Sequence, residues 1–158
     1  EDKYKGSHEY VAKIIWKYSS NPTFDLTNFW EQVLLSYFTG NANMHLKNCS
    51  MLENELEEYA LSPAYDLVNI VLVNPDDTED LALTLNGKKS NLNYTDFVKA
   101  FDTLKMPVKV LDNMLHNFFY CRKETATMVQ NSFLGEDMKV GYLKLMQRRY
   151  ELVREHVK

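Results

Sequence analysis

Two short segments concentrate the side chains able to do chemistry. One is Gly40-Asn41-Ala42-Asn43-Met44-His45-Leu46-Lys47-Asn48, and the other is Leu61-Ser62-Pro63-Ala64-Tyr65-Asp66-Leu67. The first is denser in polar groups than a surface loop needs, and it lies between a strongly apolar helical pattern and a short strand. Phosphoryl transfer requires few protein groups: oxygen ligands for Mg²⁺, a side chain that positions the attacking hydroxyl, and positive charge near the transferred phosphate. Protein kinases place an Asp and an Asn five residues apart on one loop, and a further metal-binding Asp after a hairpin. Here Asn48 stands five residues after Asn43, His45 stands two after it, and Asp66 follows the intervening segment. Asn48 and Asp66 thus fall at the metal positions, and His45 where a cation meets the γ-phosphate. Position 43 is an amide where that logic asks for a carboxylate, and an amide takes no proton at neutral pH. Singly, each residue has a duller role: His45 as a structural histidine, Asp66 as a turn or cap residue, Asn48 as a turn cap. Only their joint spacing favours the chemical role.

The elements that must position this loop are mostly helical. Ser7 caps a helix reaching about Tyr18, with Val11, Ile14, Ile15 and Tyr18 on one face. Ser19-Ser20-Asn21-Pro22 ends it, and Asp25 caps the next helix. Leu26, Phe29, Trp30, Val33, Leu34, Tyr37 and Phe38 then follow the helical period on a wide stripe, which predicts a core helix stopped by Gly40. Residues 49–52 and 59–61 read as a small hairpin around an acidic, solvated turn at 53–58. Residues 68–73 carry β-branched side chains, Asn74-Pro75-Asp76-Asp77 is a turn, and residues 76–80 form a solvated loop. Residues 81–85 alternate like a strand into Asn86-Gly87, a hairpin signal. A helix capped near Asn93 or Thr95 buries Phe97, Ala100, Phe101 and Leu104. Another starts at Pro107, buries Leu111, Met114, Leu115, Phe118 and Phe119, and continues or restarts through Met128, Val129 and Phe133. Leu143, Met146, Tyr150, Val153 and Val157 define the last helix. Met, Phe and Tyr at these spacings are core, and Tyr65 packs.

The 158 residues suit one domain, and 45% hydrophobic with 25% charged residues is an ordinary globular composition. A net charge of −4, with the densest basic spot a turn at Gln147-Arg148-Arg149, argues against direct nucleic-acid binding. Cys49 and Cys121 read as free buried thiols of a reducing cytoplasm. No membrane span or signal peptide is evident. No zinc pattern occurs, and His8, His116 and His156 show no ligand spacing.

The two segments above, together with Leu83-Thr84-Leu85-Asn86-Gly87-Lys88-Lys89 and Lys3-Tyr4-Lys5-Gly6-Ser7, resemble the C-terminal region of HipA-like serine/threonine kinases from about Lys3 to Arg149. The family pattern is G-N-x-D-x-H-x-K-N, so Asn43 replaces the family's catalytic aspartate. The resemblance implies a mainly α kinase C-terminal lobe with small β-hairpins at the catalytic loop. It implies Asn48 and Asp66 as Mg²⁺ ligands, His45 and Lys47 as catalytic-loop residues beside Asn43, and ATP as phosphate donor. It implies a protein substrate phosphorylated on Ser or Thr, membership of a toxin–antitoxin pair, and a HipB-like DNA-binding antitoxin as partner. None of the five glycines falls in a phosphate-loop pattern. The expectation is therefore a single lobe over residues 1–158, with the nucleotide-clamping N-terminal lobe trimmed away or supplied by another chain. This fragment is expected to be inactive, and a natural pseudokinase or binding module is the alternative.

Overall fold

The computed structural model describes residues 2–74 and 78–154. After a short 3₁₀ turn at Asp2–Tyr4 come α1 (His8–Tyr18), α2 (Pro22–Thr39), a 3₁₀ turn at Leu46–Asn48, β1 (Met51–Glu53), β2 (Tyr59–Leu61), the single-turn α3 (Ile70–Val73), α4 (Tyr94–Thr103), α5 (Val108–Gln130) and α6 (Glu136–Arg154). The molecule is mainly helical with one two-stranded antiparallel sheet, in which Met51 faces Leu61 and Glu53 faces Tyr59. The hairpin predicted at the catalytic loop is therefore present, shifted by about two residues in its first strand.

Helix α2 is the centre of the core. Phe29, Trp30, Val33, Leu34 and Tyr37 are completely buried, because α1, α6 and the ring of Phe97 and Phe101 from α4 close around it. Its start differs from the expectation. It begins at Pro22, a residue suited to the first turn because it lacks an N–H to satisfy. Asp25 lies inside the helix, buried, and its carboxylate accepts bonds from the Ser19 hydroxyl (2.7 Å) and the Leu61 N–H (2.8 Å). It ties α2 to the hairpin instead of capping a helix. At the other end Gly40 stops α2 in the left-handed region (φ +77°). A Cβ there would sit 2.6 Å from Leu145 and 2.8 Å from Asn69 Oδ1, so glycine is required on both counts.

Other local expectations hold where a side chain enforces them. Ser7 caps α1, and Asn93 with Asp96 forms a reciprocal capping box on α4. Several fail where packing overrides pattern. Tyr18 is exposed, and the buried face of α1 is His8, Val11, Ala12 and Ile15. Residues 70–73, despite their β-branched side chains, form a helical turn, because Asn69 Oδ1 accepts the Leu72 N–H at 3.1 Å. Residues 81–85 make no strand. Leu81, Ala82, Leu83 and Leu85 are all fully buried, so the apparent alternation has no solvent face. Only isolated bridges form, Thr84 with Ser7 of the N-terminal segment and Leu85 with Lys88. The turn signal was sound: Asn86 and Gly87 both take positive φ and Leu85 bonds Lys88 across them. α5 runs unbroken to Gln130, and Phe133 beyond it is fully exposed. Cys121 is exposed and Cys49 half-buried. The Gln147-Arg148-Arg149 segment belongs to α6, with Arg149 buried. The expectations for residues 75–77, His156 and Val157 fall outside the described residues. Among those described, no helix is long and apolar enough to cross a membrane.

Candidate functional site

The catalytic-type loop is built as an extension of α2. Asn41, 2% exposed, donates from its side-chain amide to Ser36 Oγ (3.1 Å) in the last turn of α2, and its Oδ1 accepts the Asn43 N–H (3.2 Å). Ser36 Oγ also meets Met44 Sδ at 3.4 Å. Ala42 and Met44 are buried, which turns Asn43 toward the surface, half-buried. The Leu46–Asn48 turn then closes with the Asn48 N–H on the His45 carbonyl (2.9 Å).

The segment bearing Asp66 is fastened to this loop at both ends. The Ser62 N–H donates to Ser50 (2.9 Å), and the Ile70 N–H to Gly40 (3.1 Å). Between them the Tyr65 hydroxyl donates to the Lys47 carbonyl (2.8 Å) and meets Ser50 Oγ (2.6 Å), which must then be the donor, since a phenol has one proton to give. Tyr65 is part exposed and acts through its hydroxyl, not by packing as expected. Asp66 itself has φ +54°, a left-handed backbone that Asp tolerates.

The outcome is a three-residue cluster. Asp66 Oδ2 accepts from Asn48 Nδ2 (2.8 Å) and from Asn43 Nδ2 (2.8 Å), while Asn48 Nδ2 also donates to the Asn43 carbonyl (2.8 Å). The structure thus brings Asn43, Asn48 and Asp66 to one point. It places His45 differently. The imidazole is 5% exposed, meets the Tyr4 ring edge-on with centroids 5.2 Å apart, and has a buried Nδ1 without a partner. Lys47 is exposed beside the cluster.

The donor set is made of oxygen atoms on Asn48 and Asp66, with Asp66 open to solvent. Among the described residues no three His, Cys, Asp or Glu side chains gather. Such a site fits a hard ion that keeps waters and substrate phosphates in its shell, as Mg²⁺ does, and does not fit zinc. The bond from Asn48 Nδ2 to the Asn43 carbonyl orients the amide, so Oδ1 is the atom available to an ion. Cys49, next to this loop, is no nucleophile: burial pushes its thiol up to about 11. A separate apolar groove of about 590 Å³, lined by Leu35 and Phe38 of α2, Met114 and Phe118 of α5 and Tyr150 of α6, contains none of the cluster residues.

Sequence reasoning missed Asn41, Ser36, Asp25 and Tyr4 as supports. Ser36 was the detectable one, a hydroxyl amid the apolar residues of a core helix. It also missed Arg149, whose guanidinium donates to the Tyr37 carbonyl in the last turn of α2, lies over the Tyr37 ring (5.1 Å) and pairs with Asp80 (3.2 Å). Asp80 is therefore an ion-pair partner that also accepts the Leu92 N–H (2.9 Å), not part of a solvated loop.

A loop that launches from a core helix, closes on an Asn and receives a carboxylate from the segment after a hairpin defines the helical C-terminal lobe of a kinase-like fold. The chain belongs to the HipA-like C-terminal domain family, whose model matches residues 1–126. A candidate kinase of Sinorhizobium fredii is 32% identical over 90 residues, covering 56% of this chain and 22% of that protein. A candidate kinase of Haemophilus influenzae is 28% identical over 163 residues, covering 93% of this chain and 48% of that protein. HipA of the Shewanella oneidensis MR-1 toxin–antitoxin system, solved with HipB and operator DNA, has the same fold (TM-score 0.77, 20% identity, 96% of this chain and 36% of that one). The chain therefore spans about half the length of the Haemophilus relative, and less of the others.

Proposed function

We propose that this chain is the metal-binding and substrate-facing lobe of an ATP-dependent serine/threonine protein kinase of the toxin type. The observation that carries the proposal is the meeting of Asn48 and Asp66, whose side chains touch at 2.8 Å although they come from separate segments. Asn48 Oδ1 and the Asp66 carboxylate would hold Mg²⁺, which when bound neutralises charge on the phosphates of ATP. Asn43 would orient the hydroxyl of a substrate Ser or Thr but supply no base. Its amide is therefore expected to leave turnover low, because general-base catalysis contributes about 10²–10⁴-fold. Lys47 contributes positive charge at the mouth of the loop. His45 joins it only if Tyr4 swings off the imidazole. The phosphate-covering loop is assigned to a segment outside these residues, in cis or in trans, and a HipB-like protein is the proposed partner.

The test is transfer of radiolabel from ATP to protein substrate by the complete protein. Asn43→Asp should raise transfer by about 10²–10⁴-fold, and Asp66→Ala in that background should abolish it. A silent Asn43→Asp protein that still binds Mg²⁺-ATP by calorimetry would defeat the assignment of the loop. The 158 residues alone should transfer no label, and time-dependent labelling of Ser or Thr would overturn that.

A second reading, a pseudokinase that binds without transferring phosphate, is favoured by the bond from Asn43 to Asp66, which engages the metal-side carboxylate. Asn at position 43 of the natural gene supports it, and Asp there removes it.

A further inference from the structure

A carboxylate only accepts hydrogen bonds, so any amide facing Asp66 must present its NH₂ end. Two do so, on the same oxygen: Asn43 Nδ2 and Asn48 Nδ2 each lie 2.8 Å from Asp66 Oδ2. The loop and the 62–70 segment are thereby joined by donors from the protein itself. A carboxylate at position 43 would instead place a second anionic oxygen about where Asn43 Nδ2 now stands, in contact with Asp66. Two such groups need a cation between them, must share a proton, or must separate.

We infer that the Asn43 amide is an internal latch that takes the place of a divalent cation, holding the Asp66 segment against the catalytic-type loop without metal and lowering the affinity of the site for metal. The inference rests on the proposal that Asn48 and Asp66 are the ion's ligands. Two effects act together. The amide engages Asp66 Oδ2, so an ion using that oxygen must displace it. The site also carries one negative charge fewer than it would with Asp, and ligand charge count tunes divalent-ion affinity. The residue that departs from the family pattern therefore makes the arrangement of the two segments independent of the cation.

The experiment follows Mn²⁺ binding by electron paramagnetic resonance, with Mn²⁺ standing for Mg²⁺, together with thermal unfolding and hydrogen exchange of residues 62–70. It compares the chain carrying Asn43 with Asn43→Asp, Asn43→Ala and Asn43→Asp/Asp66→Asn. The chain carrying Asn43 should gain less in melting temperature from Mn²⁺ than Asn43→Asp does. Asn43→Asp should melt about 5 °C lower without the ion, recover on adding it, and bind Mn²⁺ about tenfold more tightly. Asn43→Ala, which removes the latch without adding charge and leaves Asn48 and Asp66 in place, should exchange faster at residues 62–70 without the ion and slow again on adding Mn²⁺. Without metal, exchange in Asn43→Ala as slow as in the chain carrying Asn43 would overturn the latch, even if Asn43→Asp fails to fold. Equally tight, Asp66-dependent Mn²⁺ binding by the chain carrying Asn43 and by Asn43→Asp would also overturn it, while leaving the ligand assignment intact. Mn²⁺ binding as tight in the double variant as in Asn43→Asp would remove the ligand assignment itself, and with it the basis for both.

Discussion

His8 is the residue whose chemistry is most at odds with its surroundings. Its ring is fully buried at the start of α1, 6.1 Å from the Phe29 ring, with neither nitrogen hydrogen-bonded. Burial without a partner penalises the imidazolium, and the pKa falls from 6.5 to about 3. The folded chain therefore binds fewer protons at this site than the unfolded chain does between those two values. Stability must fall as pH drops from about 6.5 toward 3, by up to about 1.4 kcal/mol per pH unit from this residue alone. His8→Phe should flatten that part of the profile without loss at pH 7, as measured by urea unfolding across the range. An unchanged slope would mean that His8 protonates within the fold. Nothing about the sequence around position 8 separates this histidine from His116, which is exposed. The difference lies in the packing of α1 on α2.

At the level of elements, the site is a question of how a small hairpin is held. Two three-residue strands are too short to be stable by themselves. The hairpin is anchored where the chain passes from α1 to α2. Ser20 exchanges bonds with Tyr59, its N–H donating to the Tyr59 carbonyl (2.9 Å) and its Oγ accepting the Tyr59 N–H (3.1 Å), and Asp25 accepts the Leu61 N–H. Because β2 leads directly into Ser62 and Asp66, these bonds set where the carboxylate arrives. Asp25→Ala leaves the Leu61 N–H and the Ser19 hydroxyl without their acceptor and should cost about 2–4 kcal/mol. It should also speed hydrogen exchange at Leu61 more than at the centre of α2. Full stability of Asp25→Ala in urea would show that the hairpin is held by other contacts. The periodicity of α2 was plain in the sequence, as were the turn at Asn86-Gly87 and both strands to within about two residues. The role of Asp25 was not, because a capping residue and a buried acceptor look alike in one dimension.

Across the whole molecule, the last helix is locked to the helix that launches the loop. Arg149 of α6 caps the Tyr37 carbonyl at the end of α2, where the helix leaves it unpaired and the dipole favours a cation. Burial pulls its pKa below the ordinary arginine value, and the facing Asp80 carboxylate opposes that. A pair this buried, with Arg149 3% and Asp80 18% exposed, is costly to break from one side. Arg149→Met should destabilise by about 3–5 kcal/mol, and Arg149→Met with Asp80→Asn by less than the single change. The measurement is a double-mutant cycle in urea. A purely additive cycle would show that the two groups do not act as a unit. Since α2 ends at Gly40, loosening α6 is also expected to speed hydrogen exchange in the loop at residues 40–48.

Local rules written in the sequence determined the mainly helical class, the caps of α1 and α4, the glycine stop at Gly40 and the spacing of Asn43, Asn48 and Asp66 that resembles a kinase loop. Each depends on neighbours within a few positions, so one dimension suffices to express it. Tertiary structure alone decided that Asn43 turns its amide onto Asp66 across 23 positions, that Asn48 reaches the same oxygen across 18, and that Arg149 reaches Asp80 across 69. It also decided that Leu81, Ala82, Leu83 and Leu85 are all buried. Such contacts exist only once α1, α4, α5 and α6 have closed around α2. No local propensity records which distant group will supply the missing donor, acceptor or charge.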